Sequence, residues 1–124
     1  MRKAFNAKSV SASGPYSHAI DSGEYVYLSG QTAKNALNTE SDGDIAAQTK
    51  QCFINLYEVL AEVGLDESHV VKANVYLTDM KHFEAMNEVY KTKFSEPYPA
   101  RTCVAVKQLP LGADVEIEVV AKRP

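Results

Sequence analysis

The stretch "YPARTCVAVKQLPLGADVEIEVVA", residues 98–121, decides the fold, because two alternating apolar runs flank a turn containing Pro110 and Gly112. In the first run Thr102, Val104 and Val106 face one way and Arg101, Cys103, Ala105 and Lys107 the other. In the second, Val115, Ile117, Val119 and Ala121 stand opposite Glu116, Glu118 and Val120. A period of two marks a strand with one dry face, so two strands are expected, each with a greasy and a charged face. Joined as a hairpin through "LPLGAD", they would set Lys107 opposite Glu116, an exposed ion pair worth less than about 1 kcal/mol. Arg101 would then lie about 20 Å along the strand from the level of Glu116. Either these charges are solvated, or Arg101 and Glu116 serve one site that is built between subunits or in another register.

Upstream, "EYVYLSG" (24–30) is β-branched and aromatic, and reads as a strand stopped at Gly30, with small Ser29 and Gly30 at its tip. The polar segment "QTAKNALNTESDGD" (31–44) reads as a loop. Ile45, Cys52, Leu56, Val59, Leu60 and Val63 then recur at helical spacing, with Asp44 as N-cap and Gly64 as the stop. Cys52 lies on that apolar stripe and is expected to be a small core residue. In "VVKANVYLTD" Val71, Ala73, Val75 and Leu77 alternate with Val70, Lys72, Asn74 and Tyr76, which predicts a strand. Thr78 or Asp79 starts a second helix carrying Phe83, Met86, Tyr90 and Phe94, finished by Pro97. The order strands, helix, strand, helix, two strands predicts an α+β domain over 1–124, with two helices on one face of a mixed or mainly antiparallel sheet. Its other face would carry Tyr25, Tyr27, Val120 and Ala105, and covering these from water favours a homo-oligomer.

The chain has 124 residues, 45% of them hydrophobic, which fits one domain with a modest core. No stretch of eighteen uncharged apolar residues occurs and the first residues lack an apolar signal core, so a cytoplasmic protein with no membrane partner is expected. In a reducing compartment Cys52 and Cys103 are expected to be free thiols. A net charge of −3 and a pI near 5.6 give no basic field, which weighs against a nucleic-acid partner.

Arg101 has the planar fork that holds a carboxylate bidentately, and backbone amides beyond it can add donors. A glutamate suits positioning or deprotonating water when its surroundings raise its pKa. Together they suggest a small carboxylic acid undergoing addition of water. Cys103 has no histidine at a diagnostic spacing, which argues against a Cys/His nucleophile. His18, His69 and His82 lie in separate segments without a ligand pattern; they are expected to be surface or capping residues, and no metal is expected. No glycine-rich phosphate loop follows a strand, so no nucleotide cofactor is implied.

The stretches "SGPYSHAI", "YVYLSGQ", "KANVYLTDMKHFEAMNEVYKTKF" and "PARTCVAVKQLPLGADVEIEVVA" resemble, in order and over nearly the whole chain, the YjgF/RidA family of enamine/imine deaminases, formerly called L-PSP or translation-inhibitor proteins. The resemblance implies a chorismate-mutase-like α+β subunit in a homotrimer with clefts between neighbouring chains. It implies that Arg101 grips a substrate carboxylate and Glu116 activates water, with Glu118 structural. Tyr16, Ser29, Gly30, Asn87 and Cys103, the last through its backbone amide, match further substrate-binding positions. The implied reaction is hydrolysis of 2-aminoacrylate or 2-aminocrotonate, as imines, to 2-oxo acids and ammonia, without a cofactor. These species are released by pyridoxal-phosphate-dependent dehydratases. The partners are thus small 2-imino or 2-oxo acids and further copies of the chain. The 32–44 loop departs from the family's Ile-Pro and Thr-Gly-Glu pattern and would line the cleft entrance. The other reading is a non-enzymatic trimer that binds a carboxylate metabolite or a partner protein in a regulatory or chaperone-like role. There Arg101 is an anchor and Glu116 serves only the structure.

Overall fold

The computed structural model describes residues 2–12, 14–35 and 44–124. Six strands and two helices run in the order β1 (Lys3–Phe5), β2 (Ala19–Asp21), β3 (Tyr25–Thr32), α1 (Ile45–Val63), β4 (Val70–Leu77), α2 (Phe83–Tyr90), β5 (Ala100–Ala105) and β6 (Val115–Lys122). The strands form one mixed sheet in the order β1-β2-β3-β6-β4-β5. Every pairing is antiparallel except β4 with β5, which is parallel. Parallel neighbours cannot be joined by a tight turn, and here the connection carries α2. The α+β expectation holds.

The two C-terminal strands are not a hairpin. β4 inserts between them, so Glu116 stands opposite Tyr76 on one side and Thr32 on the other, and the expected cross-strand pair with Lys107 does not form. The alternation of each strand is legible in sequence, but which strand lies beside which depends on the returning crossover. β3 also runs past Gly30 to Thr32, with a register shift between Leu28 and Gln31. Ser29 and Gly30 therefore sit in an irregularity inside the strand rather than at its tip, a place where bulges commonly re-aim side chains beside functional clefts.

α1 follows its sequence pattern. Asp44 accepts a hydrogen bond from the Ala47 amide at the start, and Gly64 closes the helix in the left-handed region at φ 80°. Asp44→Ala is expected to cost about 1 kcal/mol of folding stability, measured by chemical denaturation. α2 is shorter than the apolar spacing suggested. Asp79 caps a single 3-10 turn, the regular helix begins at Phe83 and ends at Tyr90, and Phe94 reaches the core from beyond it. β1 and β2 have no counterpart in the sequence reading, because three residues are too few to show a period.

One apolar core lies between the sheet and the helices, built from Val75, Leu77, Val115, Ile117 and Val119 against Phe53, Leu56, Val59 and Leu60. α1 crosses β3 and β6, and α2 packs on α1. Phe53 is the hinge of that packing, with ring centroids of Tyr57, Tyr90 and Phe94 at 5.9, 5.7 and 5.6 Å in tilted and edge-on arrangements. Cys52 is fully buried and desolvation pushes its thiol far up, as expected of a core residue. Val70 is buried and Val71 exposed, the reverse of the simple alternation, because the β4–β6 register shifts between Val70 and Lys72.

His18 corrects another expectation. It is buried rather than a surface or capping residue: the Ala7 amide donates to its Nδ1 at 3.0 Å, and its Nε2 lies 3.1 Å from the Ser11 carbonyl. That pairing makes Nε2 the protonated nitrogen, and it ties the N-terminal segment to the strand start. His69 behaves as expected, closing a capping box with Asp66.

Candidate active site

The alternation of β6 sends Val115, Ile117 and Val119 into the core and leaves Glu116 and Glu118 on the face that no helix covers. Asn74 and Tyr76 of β4 share that face, because they pair with Glu118 and Glu116. Glu116 opens into a cleft of about 320 Å³ lined by Tyr16, Ser29, Gly30, Asn35, Pro110 and Glu118. Its carboxyl is shifted above the usual carboxylate range, first by burial and then by the charge of Glu118. Among the described residues no cation pairs with it. Such a group takes a proton readily.

The neighbours of Glu116 explain why small residues stand on β3. A methyl group at Gly30 would come within 3.0 Å of Glu116 Cδ and 3.2 Å of Cγ and Oε2, so any side chain here presses the Glu116 carboxyl out of its place by a few tenths of an ångström. Ser29 Oγ donates to the Ser17 carbonyl at 2.6 Å and the Ser29 amide to the His18 carbonyl at 2.9 Å, which anchors the segment carrying Tyr16. We expect Gly30→Ala to displace the Glu116 carboxylate, read as a moved 13C signal of that carboxyl with a native circular dichroism spectrum.

Arg101 belongs to a different place. In the parallel register it sits beside Ala73, a buried residue on the helix-covered face. Its Nη1 donates to Asn87 Oδ1 at 2.6 Å, and its guanidinium carbon lies 4.6 Å from the Tyr90 ring centroid and 5.5 Å from that of Phe83. Two aromatic faces and one amide hold the fork in place. A second cleft of about 400 Å³ is lined there by Asn87, Tyr90, Lys91, Tyr98, Pro99 and Arg101. Asn87 thus spends its carbonyl on Arg101. Cys103, also on the helix side beside Val75, has a half-buried thiol that burial pushes up, which is wrong for a nucleophile. The first of the two C-terminal runs therefore turns its Arg101 and Cys103 side, not Thr102 and Val104, toward the helices. Ala105 goes with them, beside Leu77, against the expectation that it lies on the open face, and Val104 is exposed there instead.

The seven residues singled out from sequence therefore divide. Tyr16, Ser29, Gly30 and Glu116 gather at one cleft, Asn87 and Arg101 at another, with Cys103 two residues along β5 from Arg101. Arg101 is level with Val119, three residues from Glu116 and two strands away, or about 10 Å along and about 10 Å across, on opposite faces. The 20 Å of the hairpin reading is replaced, but within one chain the two still do not meet.

Sequence reasoning passed over Asn35, Asn74, Tyr76, Phe83 and Tyr90. Phe83 and Tyr90 fit the apolar stripe of α2, which in sequence is the pattern of a core residue. Asn74 and Tyr76 were visible as the mixed face of β4, but their neighbours were not. Asn35 lines the Glu116 cleft and accepts from the Thr32 amide and hydroxyl, both at 2.9 Å. It belongs to the described part of the atypical 32–44 loop, in which Thr32 ends β3, Ala33–Asn35 form a 3-10 turn and Asp44 caps α1; residues 36–43 lie outside the described residues. Among the described residues no group of three His, Cys, Asp or Glu side chains could hold a metal ion, and no helix is long and apolar enough to cross a membrane.

Comparison with known proteins gives this geometry a lineage. Residues 6–123 match the family model described as Endoribonuclease L-PSP. The chain is 43% identical over 119 residues to Schizosaccharomyces pombe protein mmf1, mitochondrial, covering 94% of this chain and 73% of that one. It is 40% identical over 116 residues to 2-iminobutanoate/2-iminopropanoate deaminase of Capra hircus, covering 93% and 85%. A crystal structure of E. coli TdcF with bound serine superposes with a TM-score of 0.92 at 33% identity, over 98% of this chain and 99% of that one. Because one of these relatives is named as mitochondrial, kinship does not support the cytoplasmic expectation. An α+β chain with this sheet order, matching the L-PSP model from residue 6 to residue 123, belongs to the YjgF/RidA (L-PSP) family.

Proposed function

We propose that the chain is a cofactor-independent deaminase that hydrolyses 2-imino acids, such as 2-iminopropanoate and 2-iminobutanoate, to 2-oxo acids and ammonia. The observation that carries this reading is Glu116, a half-buried carboxyl with raised proton affinity that opens into a cleft beside Tyr16. A base of that kind is suited to water near neutral pH. The name of the Capra hircus relative supports the reaction, and serine bound to TdcF supports a ligand with a carboxylate and a nitrogen on the adjacent carbon.

Arg101 accepts the substrate carboxylate in its fork, pre-oriented by Asn87 and Tyr90. The Cys103 backbone amide is a second donor to that carboxylate. Glu116 takes a proton from water as the oxygen bonds to C2 and the C=N electron pair moves to nitrogen. Glu116 returns that proton to the nitrogen to give the neutral tetrahedral carbinolamine, which then collapses: Glu116 takes the C2 hydroxyl proton and passes it to the nitrogen as the C–N bond breaks, so that ammonia leaves and the C2 oxygen becomes the carbonyl of the 2-oxo acid. Tyr16, Ser29 and Asn35 line the Glu116 side.

For Arg101 and Glu116 to reach one substrate they must come from different copies. Tyr27 is 50% exposed and Val104 42% exposed on the sheet face that no helix covers, and apolar surface there favours association with further copies, in a homotrimer. Interfaces of a closed ring bring different patches of neighbouring chains together, which suits a site divided between two clefts. The name of the matching model mentions an endoribonuclease, but Glu116 and Glu118 in this cleft would repel a phosphate backbone. The test generates 2-aminoacrylate with a serine dehydratase and follows pyruvate release. Faster release with the protein supports the reading; a rate equal to the uncatalysed one defeats it.

A further inference from the structure

Glu118 stands two residues after Glu116 on the same face of β6 and lines the same cleft. Two donors from β4 hold it: Tyr76 Oη donates to Glu118 Oε1 at 2.6 Å and Asn74 Nδ2 to the same oxygen at 3.1 Å. Tyr76 lies opposite Glu116 and Asn74 opposite Glu118, so the ladder that sets the register also fixes the rotamer of the second carboxylate. Donating to Glu118 pushes the Tyr76 hydroxyl up to about 12, so this phenol keeps its proton across the working range. No described cation neutralises the pair of glutamates.

The surroundings are otherwise neutral or remote. On this face β4 adds Lys72, whose Nζ donates to Thr102 Oγ1 at 3.0 Å and which stands at the level of Val120, beyond Glu118 from Glu116. β3 contributes Tyr25 and Tyr27, at the levels of Lys122 and Val120. Lys122 of β6 lies further out and pairs with Glu24. Tyr16 and Asn35 line the cleft, Lys34 beside Asn35 acts on Asp114, and from α1 the buried thiol of Cys52 lies within electrostatic reach of Glu116.

We propose that Glu118, held by Tyr76 and Asn74, is a positioning residue that acts on Glu116 through its fixed negative charge and keeps that carboxylate ready to accept a proton. This deepens the deaminase reading and rests on it. Glu118 touches no reacting atom in this scheme; it sets the proton affinity of its neighbour. The charge of Glu118 already works in that direction on Glu116, second to burial.

The test is a 13C NMR titration of glutamate-labelled protein, with the Glu116 carboxyl signal assigned by its loss in Glu116→Gln. In Glu118→Gln the glutamine still accepts from Tyr76 but carries no charge, so a merely structural role would leave the Glu116 midpoint in place. The expected result is a midpoint lower by about half a unit to one unit, with the acid limb of kcat/KM moving the same way. Tyr76→Phe, which keeps the charge but frees its rotamer, should give a smaller shift of the same sign, and it serves if Glu118→Gln fails to fold. A Glu116 midpoint unmoved in both variants overturns the proposal. If wild-type protein lacks deaminase activity while the midpoint still shifts, the deaminase reading falls and the electrostatic pairing survives; active wild type with an unmoved midpoint sinks only the pairing.

Discussion

Arg101→Ala will reduce kcat/KM for 2-iminopropanoate by about 10²- to 10⁴-fold, because removing one partner of a desolvated carboxylate pair costs about 3–5 kcal/mol. The loss should fall on KM as well as kcat, since the fork holds ground state and transition state alike. Binding of a 2-oxo acid product, followed by calorimetry, should disappear in the same variant. Arg101→Lys is expected to recover little, because an ammonium cannot reproduce the bidentate fork or its stacking on Tyr90. Stability will change less than activity. Arg101 is held by Asn87, Tyr90 and Phe83 at the edge strand rather than in the main apolar core.

Glu116→Gln will lower kcat by about 10²- to 10⁴-fold while leaving product binding within a few-fold, which separates turnover from anchoring. A non-enzymatic binder using Arg101 alone would lose nothing measurable in this variant. The pH dependence follows from the raised carboxyl. The base works only when deprotonated, so kcat/KM falls as pH drops through the elevated Glu116 value, above the usual carboxylate range. Stability runs the opposite way. A folded-state value above the unfolded one means the native chain binds more protons in the window between the two, so Glu116 costs stability as pH rises through it. Glu116→Gln should therefore melt slightly higher than wild type at neutral pH and lose that advantage in acid. Many active sites trade stability for function in this way.

The elements that sequence made legible are those with a long, unbroken period. Nineteen residues of α1 display their stripe and both caps, Asp44 and Gly64, within the local chain. β6 declares its two faces through Val115, Ile117 and Val119 against Glu116 and Glu118. What remained hidden is long-range. The insertion of β4 between β5 and β6 depends on a crossover that no local pattern encodes, and with it went the expected pairing of Lys107. The face of Arg101 was hidden for a related reason: in β5 every side chain is at least partly exposed, so neither alternate set is distinctly apolar. Arg101 and Glu116 stand out in sequence by their charge on apolar strands and Gly30 by its small size, and the family resemblance gives them roles. The reason for that glycine is three-dimensional, because the Glu116 carboxyl carbon lies 3.0 Å from where a Cβ would stand. Phe83 and Tyr90 illustrate the same limit, because an aromatic that stacks under a guanidinium has the same helical spacing as one that only fills the core.

The division of site residues between two clefts on opposite faces is the feature on which the proposed mechanism depends, and subunit mixing tests it most directly. Arg101→Ala and Glu116→Gln, each inactive alone, are co-expressed with different tags and purified as mixed oligomers. If each site takes its arginine from one copy and its glutamate from the next, every mixed trimer that carries both tags has one of its three sites with both groups intact, or about a third of the sites. Recovery of about a third of wild-type deaminase activity is the predicted result. Mixed oligomers no more active than either variant alone would contradict a site shared between subunits.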